Sequence, residues 1–226
     1  MTTTWRVDTG KHRVTARSDA PADSDKGCVL VLAHGAGGHM SDAGMTGLAS
    51  LYVSGGFRVI RFNFPYREAG SHRPDPMPVL QRCVRDVVAS ARERFVAQRW
   101  IVGGRSMGGR AASMLAAEGF DCDGLVLLAY PLHPAGAVEK LRDAHLKRID
   151  VPVLCMNGTR DSLCRRDLMD RVVAQLPDRF TMHWIEGADH SFRVLKTAAR
   201  GSADVLREIL DTTLGWYASW LQPNRT

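Results

Sequence analysis

The tightest constraint on this chain lies at residues 100–117. An apolar run, Trp100-Ile101-Val102, leads into Gly103-Gly104-Arg105-Ser106-Met107-Gly108-Gly109, and Ala111-Ala112-Ser113-Met114-Leu115-Ala116-Ala117 follows with a helical pattern. A strand must turn sharply into a helix here, with a serine at the tip. Gly104 and Gly108 flank Ser106. Glycine permits tight turning and close approach where a Cβ would clash. In a strand–turn–helix setting, Gly-x-Ser-x-Gly marks an elbow that exposes a nucleophilic hydroxyl. The pentapeptide alone is modestly specific, because Gly and Ser are common. Its weight depends on an acid, a base and an oxyanion loop in the right chain order.

The rest of the chain repeats the alternation of strand and helix. Candidate strands are Cys28–Ala33 and residues 57–62, 100–103, 124–129, 151–156 and 180–185. Candidate helices are Ala43–Ser54 and residues 79–96, 107–118, 137–146, 165–176 and 202–221. This alternation implies βαβ units and a mainly parallel sheet. The continuous apolar run Cys28-Val29-Leu30-Val31-Leu32-Ala33 suits a strand covered on both faces. Residues 5–17 alternate enough for one or two antiparallel edge strands. Asp42 is placed to cap the first helix. No repeat or second domain is visible, so residues 1–226 read as a single α/β domain. Only about twenty residues separate the strand ending near Ala129 from Val151. They hold a crossover helix and no lid domain, which implies an open site. The loop 63–78, rich in Pro, Gly and charge, is expected to form one rim.

The missing partners of the serine follow in order. The strand at 151–156 runs into Asn157-Gly158-Thr159-Arg160-Asp161, and the strand at 180–185 into Glu186-Gly187-Ala188-Asp189-His190. Open α/β sheets place their sites beyond strand carboxyl ends. Ser106, Asp161 and His190 therefore stand in the nucleophile–acid–base order of this architecture. A serine hydroxyl needs a base to take its proton as it attacks. A histidine, with an ordinary pKa of about 6.5, suits that role, and an aspartate would fix its tautomer. His183 lies within a strand, and Asp189 is expected to be structural. Upstream, the strand Cys28–Ala33 ends in His34-Gly35-Ala36-Gly37-Gly38. Its backbone N–H groups, with that of Met107, would receive an oxyanion. The donor on the upstream loop is Ala36, with Gly37 the alternative.

These segments, together with Arg61-Phe62-Asn63-Phe64-Pro65-Tyr66-Arg67-Glu68, carry a family likeness. The chain resembles the α/β-hydrolase superfamily along nearly its whole length, and more narrowly the small, lidless, dienelactone-hydrolase-like members. The resemblance implies an α/β-hydrolase fold: a mainly parallel central sheet with helices on both faces, antiparallel N-terminal edge strands and no lid. It also implies a serine hydrolase forming an acyl-enzyme on Ser106 from an ester or thioester. Dienelactone hydrolases proper use a cysteine nucleophile, so their chemistry is not implied for Ser106. The same subgroup includes a hydrolase-like domain in a subunit of a chromatin-modifying complex. A catalytically silent interaction module is therefore the alternative reading.

Composition narrows the partners. Hydrophobic residues make up 45% and charged residues 24%, with a net charge of +6. The basic residues are scattered, without a Lys/Arg run, which disfavours nucleic acid. Arg67, Arg73, Arg105, Arg160, Arg165 and Arg166 fall in loops expected at the site edge. Convergence of several would favour an acidic small-molecule substrate. Arg105 either supports the acid loop or reaches substrate, and Tyr66 and Arg67 are candidate substrate contacts. Five cysteines without C-x-x-C spacing argue against disulfides or zinc. No metal or organic cofactor is expected. The N-terminus lacks the basic-then-apolar pattern of a leader, and no run is long enough to span a membrane. The reading is cytoplasmic.

Overall fold

The computed structural model describes residues 1–22 and 25–219. Strands β1 (Thr2–Thr9) and β2 (His12–Asp19) form an antiparallel hairpin. Strands β3 (Cys28–Ala33), β4 (Arg58–Phe62), β5 (Arg99–Arg105), β6 (Gly124–Leu128), β7 (Val153–Gly158) and β8 (Phe180–Ile185) run parallel to one another. All eight join one sheet, in the order β1-β2-β4-β3-β5-β6-β7-β8, and β2 is antiparallel to β4.

The apolar runs of the inner strands have a direct cause. Successive residues of a strand point to opposite faces, and β3 is buried along its whole length. Helices α1 (Ala43–Ser54) and α6 (Ser202–Ser219) cover one face, where Leu30 and Leu32 meet Leu48, Tyr52, Ile209 and Trp216. Helices α3 (Met77–Arg92), α4 (Met107–Ala116) and α5 (Arg166–Val173) cover the other, where Val29 and Val31 meet Val84, Val88 and Leu115. Burial of such side chains contributes about 1.5–3 kcal/mol each. That is the term holding the layers together. The fold is the mainly parallel, helix-covered sheet that the sequence implies.

Helix α1 begins where expected. Asp42 Oδ1 accepts from the Met45 N–H at 2.8 Å, and Oδ2 from the His39 N–H at 3.0 Å. The cap thus also fastens the loop that follows β3.

The crossover corrects one expectation. Residues 137–146 form no α-helix. The whole connection from β6 to β7 holds one 3-10 turn, Leu146–Arg148. The Tyr130 hydroxyl donates to the Arg142 carbonyl at 2.5 Å, and the Arg142 N–H donates to the Leu132 carbonyl at 2.7 Å. These bonds draw the segment back on itself. Pro131, Pro134 and Gly136 punctuate its start, so the helical composition of Val138-Glu139-Lys140-Leu141 is overridden. Among the described residues this connection is the place for a lid, and it holds none.

Other differences are smaller. The 63–78 rim contains a short helix, α2 (Pro65–Glu68), with Pro65 at a first-turn position that tolerates proline. The helices expected over 79–96, 107–118 and 165–176 stop at Arg92, Ala116 and Val173. β6 stops at Leu128, because Ala129 turns with φ +50°. The last helix is seen to Ser219; Trp220 and Leu221 lie outside the described residues.

Candidate active site

The serine sits on a strained turn. β5 ends at Arg105 and α4 begins at Met107, which leaves Ser106 at φ 51°, ψ −117°. A residue with a Cβ in such a region costs roughly 1–3 kcal/mol and persists only when its surroundings hold it there. They do so here. The Ser106 N–H donates to the Leu128 carbonyl at 2.8 Å. The start of α4 packs so closely on β3 that a Cβ at Gly108 would overlap the Ala33 carbonyl oxygen.

Two loops bring an acid and a base to this serine. His190 Nε2 lies 2.9 Å from Ser106 Oγ, and His190 Nδ1 lies 2.8 Å from Asp161 Oδ2. The Asp161 side chain is wholly buried, whereas the His190 side chain keeps 24% of its exposure. Asp161 has further donors: the Leu163 N–H at 2.8 Å to Oδ1 and Asn157 Nδ2 at 3.1 Å to Oδ2. A buried carboxylate requires such satisfaction. Asn157, at the end of β7, is itself fixed by both backbone groups of Tyr130. Sequence reading passed it over. An amide ending an otherwise apolar strand, four residues before the acid, was the available signal.

The two loops are laced together. The Arg160 N–H donates to the Ala188 carbonyl at 2.9 Å, and the Gly187 N–H donates to Thr159 Oγ1 at 2.9 Å. Asp189 is occupied within its own turn, accepting from the Ser191 and Arg193 N–H groups. His183 pairs with Glu208 of α6 at 2.7 Å.

The loop after β3 is held from beneath. His34 is buried, and its Nε2 accepts the Phe64 N–H at 3.1 Å. Nδ1 therefore carries the proton and donates to the Gly35 carbonyl at 2.8 Å. Burial pushes the His34 pKa down to about 4, so the ring is neutral and positions the loop. The 61–68 motif serves the same loop. Arg61 is buried and donates to the Met40 carbonyl and to Asp19, at 2.6 Å from the latter. Asn63 accepts the Met40 N–H at 2.8 Å and donates to Glu68 at 2.9 Å.

These contacts leave backbone donors beside the serine. The N–H groups of Ala36 and Met107 make no hydrogen bond among the described residues, and both residues line one cleft with Ser106. The Gly37 amide is turned towards the Tyr66 hydroxyl. That hydroxyl is buried and makes no hydrogen bond of ordinary geometry among the described residues.

The arginines behave differently from expectation. Arg105 Nη2 donates to the His190 carbonyl at 3.2 Å and to Ser191 Oγ at 3.0 Å. It braces the loop of the base rather than that of the acid. Arg67 is bound to the Ser71 carbonyl and the His72 ring, and Arg160 to the Gly187 carbonyl. Arg165 pairs with Asp167, and Arg166 with Asp170 and Glu186. The arginines that line the cleft with Ser106 are Arg110 and Arg142, neither of which the sequence reading singled out.

No group of three His, Cys, Asp or Glu side chains among the described residues is arranged to hold a metal. The five cysteines are buried and unbridged. No described helix is long and apolar enough to cross a membrane.

Comparison with known proteins agrees with this architecture. A family model described as an alpha/beta hydrolase domain matches residues 26–218. A lidless α/β serine hydrolase from Xanthomonas campestris superposes with a TM-score of 0.77 at 19% identity, covering 95% of this chain and 94% of the other. An α/β serine hydrolase homologue from Coxiella burnetii gives 0.76 at 18%, covering 94% and 96%. A dienelactone hydrolase from Anabaena variabilis gives 0.71 at 18%, covering 97% and 96%. At these identities the likeness is one of fold.

Proposed function

Because the chain belongs to the alpha/beta hydrolase domain family, we propose that it is a serine hydrolase cleaving a carboxylic ester or thioester through an acyl-enzyme on Ser106. The observation that carries this reading is the unbroken relay from Ser106 Oγ through His190 to Asp161, with 2.9 Å and 2.8 Å links. It ends on a serine strained at φ 51°.

The chemistry follows from the positions. Ser106 Oγ attacks the carbonyl carbon while His190 Nε2 takes its proton. The positive imidazolium is stabilised by Asp161, whose carboxylate stays oriented by Asn157 and the Leu163 N–H. Negative charge developing on the substrate oxygen is received by the Ala36 and Met107 N–H groups, at about 3–4 kcal/mol for each well-placed donor. Ala36 is favoured over Gly37 because the Gly37 amide faces Tyr66. The tetrahedral adduct collapses, and His190 Nε2–H protonates the departing alcohol or thiol. Water, deprotonated by His190, then attacks the acyl carbon. The acid leaves and the Oγ–H is restored.

Tyr66, whose hydroxyl is buried beside the Gly37 amide, is proposed as a substrate contact. Arg105 is a positioning residue for the base's loop. The chain-length test is a series of p-nitrophenyl esters and acyl-thioesters, with Ser106→Ala as the control. Turnover that vanishes in Ser106→Ala supports the reading; turnover unchanged in that variant contradicts it.

A further inference from the structure

The cleft beside the nucleophile carries more positive charge than its own side chains balance. Its volume is about 380 Å³, and Ser106, Met107 and Ala36 line it. Arg110 of α4 and Arg142 of the β6–β7 connection line the same cleft. Neither guanidinium makes an ion pair or a side-chain hydrogen bond among the described residues. Arg110 Nε is buried and wholly without a partner. One acid lines the same cleft, Asp75, and its Oδ2 already accepts the Tyr66 N–H at 2.8 Å.

The arrangement is costly without a ligand. Two like charges in a partly buried cleft repel each other, and burial adds to the penalty. Burial together with the nearby Arg110 lowers the pKa of Arg142. Elsewhere in this protein surface arginines find carboxylates readily, as the half-buried Arg92 does with Asp121 and the exposed Arg179 with Asp150. A pair left open beside the reactive serine therefore calls for an anion from outside. Guanidinium forks match a carboxylate in bidentate geometry.

Direction within the site decides which part of the substrate bears the charge. The leaving oxygen or sulfur must approach His190 Nε2 to be protonated. No residue of the loop carrying His190 lines the cleft. The acyl portion, extending from the carbonyl away from His190, is the part that enters it. On the reading of Ser106 as nucleophile, we infer that Arg110 and Arg142 form a subsite for a carboxylate at the far end of the acyl group. The favoured substrates are then half-esters or half-thioesters of short dicarboxylic acids.

The experiment compares 4-nitrophenyl hydrogen glutarate with 4-nitrophenyl valerate on wild type, Arg110→Gln, Arg142→Gln and Arg165→Gln. Glutarate and valerate binding to wild type and the same variants is measured by calorimetry. The expected result is a wild-type kcat/KM at least about tenfold higher on the anionic ester, as charge-assisted hydrogen bonds imply. That ratio falls about tenfold in Arg110→Gln and in Arg142→Gln, and stays high in Arg165→Gln. Glutarate binds wild type more tightly than valerate, and the difference disappears in the same two variants. A wild type that cleaves valerate with no anionic preference, or a preference that survives both substitutions, overturns the subsite and leaves the nucleophile reading intact. Failure of both esters with selective, arginine-dependent glutarate binding overturns the nucleophile reading and keeps the subsite. Failure of both esters without glutarate binding overturns both.

Discussion

Gly158 and Ala188 touch backbone to backbone. A Cβ on residue 158 would overlap the Ala188 carbonyl oxygen. The strand leading to Asp161 and the loop leading to His190 are thus pressed together at a point where neither belongs to the reacting groups. Gly158→Ala forces them apart. Overpacking of this kind costs about 1–3 kcal/mol, and displacement of a catalytic group by about 1 Å can cost on the order of 100-fold in rate. The expected outcome is a lowered melting temperature with a kcat loss of at least tenfold, read by thermal unfolding and steady-state kinetics. Unchanged kcat in a folded Gly158→Ala protein would show that the contact does not position the relay.

Asn157 tests the support of the acid. Asn157→Ala removes the 3.1 Å bond to Asp161 and both bonds to Tyr130. Loss of a hydrogen bond to a charged group costs about 1.5–3 kcal/mol. In kinetics the loss is expected in kcat, about tenfold or more, with KM changed little, because the amide touches no substrate. A change confined to KM would contradict a positioning role.

Tyr66→Phe separates stability from activity. The phenol oxygen is buried without an ordinary partner, so its removal is expected to leave stability equal or raise it by about 1 kcal/mol. If the hydroxyl meets substrate, kcat/KM falls about tenfold in the same protein. Chemical denaturation and ester hydrolysis measured side by side check both halves. A fall in stability with full activity contradicts the assignment.

Acid sensitivity follows from two buried histidines. His34 and His145 are each pushed down to about 4, in both cases chiefly by burial. In the unfolded chain they take a proton near pH 6.5. Their folded pKa is depressed, so the unfolded state binds more protons between those values. Stability is therefore lost as pH falls from about 6.5 to about 4, by about 3 kcal/mol for each histidine. His145 Nε2 is shared with Ser113 Oγ at 2.8 Å, a contact that glutamine can imitate. Urea midpoints at pH 7, 5.5 and 4.5 are expected to fall steeply in wild type and less steeply in His145→Gln. Equal slopes would contradict the role given to His145.

The sheet was legible because burial on both faces demands unbroken apolar runs. β3, β6 and β7, buried along their whole length, announce themselves through composition. The elbow was legible because a serine between Gly104 and Gly108 can follow a strand only by turning. The crossover was not, since Val138-Glu139-Lys140-Leu141 has helical composition and only tertiary bonds from Tyr130 and Leu132 unwind it. That misreading also hid Arg142, which a helix would have carried elsewhere. Arg110 was hidden differently. It lies on the first turn of α4, four residues beyond Ser106, whereas the arginines expected at the site edge were those of loops. Most of those proved to be tied to neighbouring groups such as Asp167, Gly187 and Ser71.

Labelling of Ser106 tests the central claim most directly. A fluorophosphonate reacts with a serine only where a base activates the hydroxyl and donors receive the developing charge. Intact-mass and peptide mass spectrometry of the treated protein should show one adduct on the peptide containing Ser106. The adduct should be lost in Ser106→Ala and formed far more slowly in His190→Ala. A folded wild type that takes no label, or equal labelling in Ser106→Ala, would contradict the account and leave the fold as an interaction module.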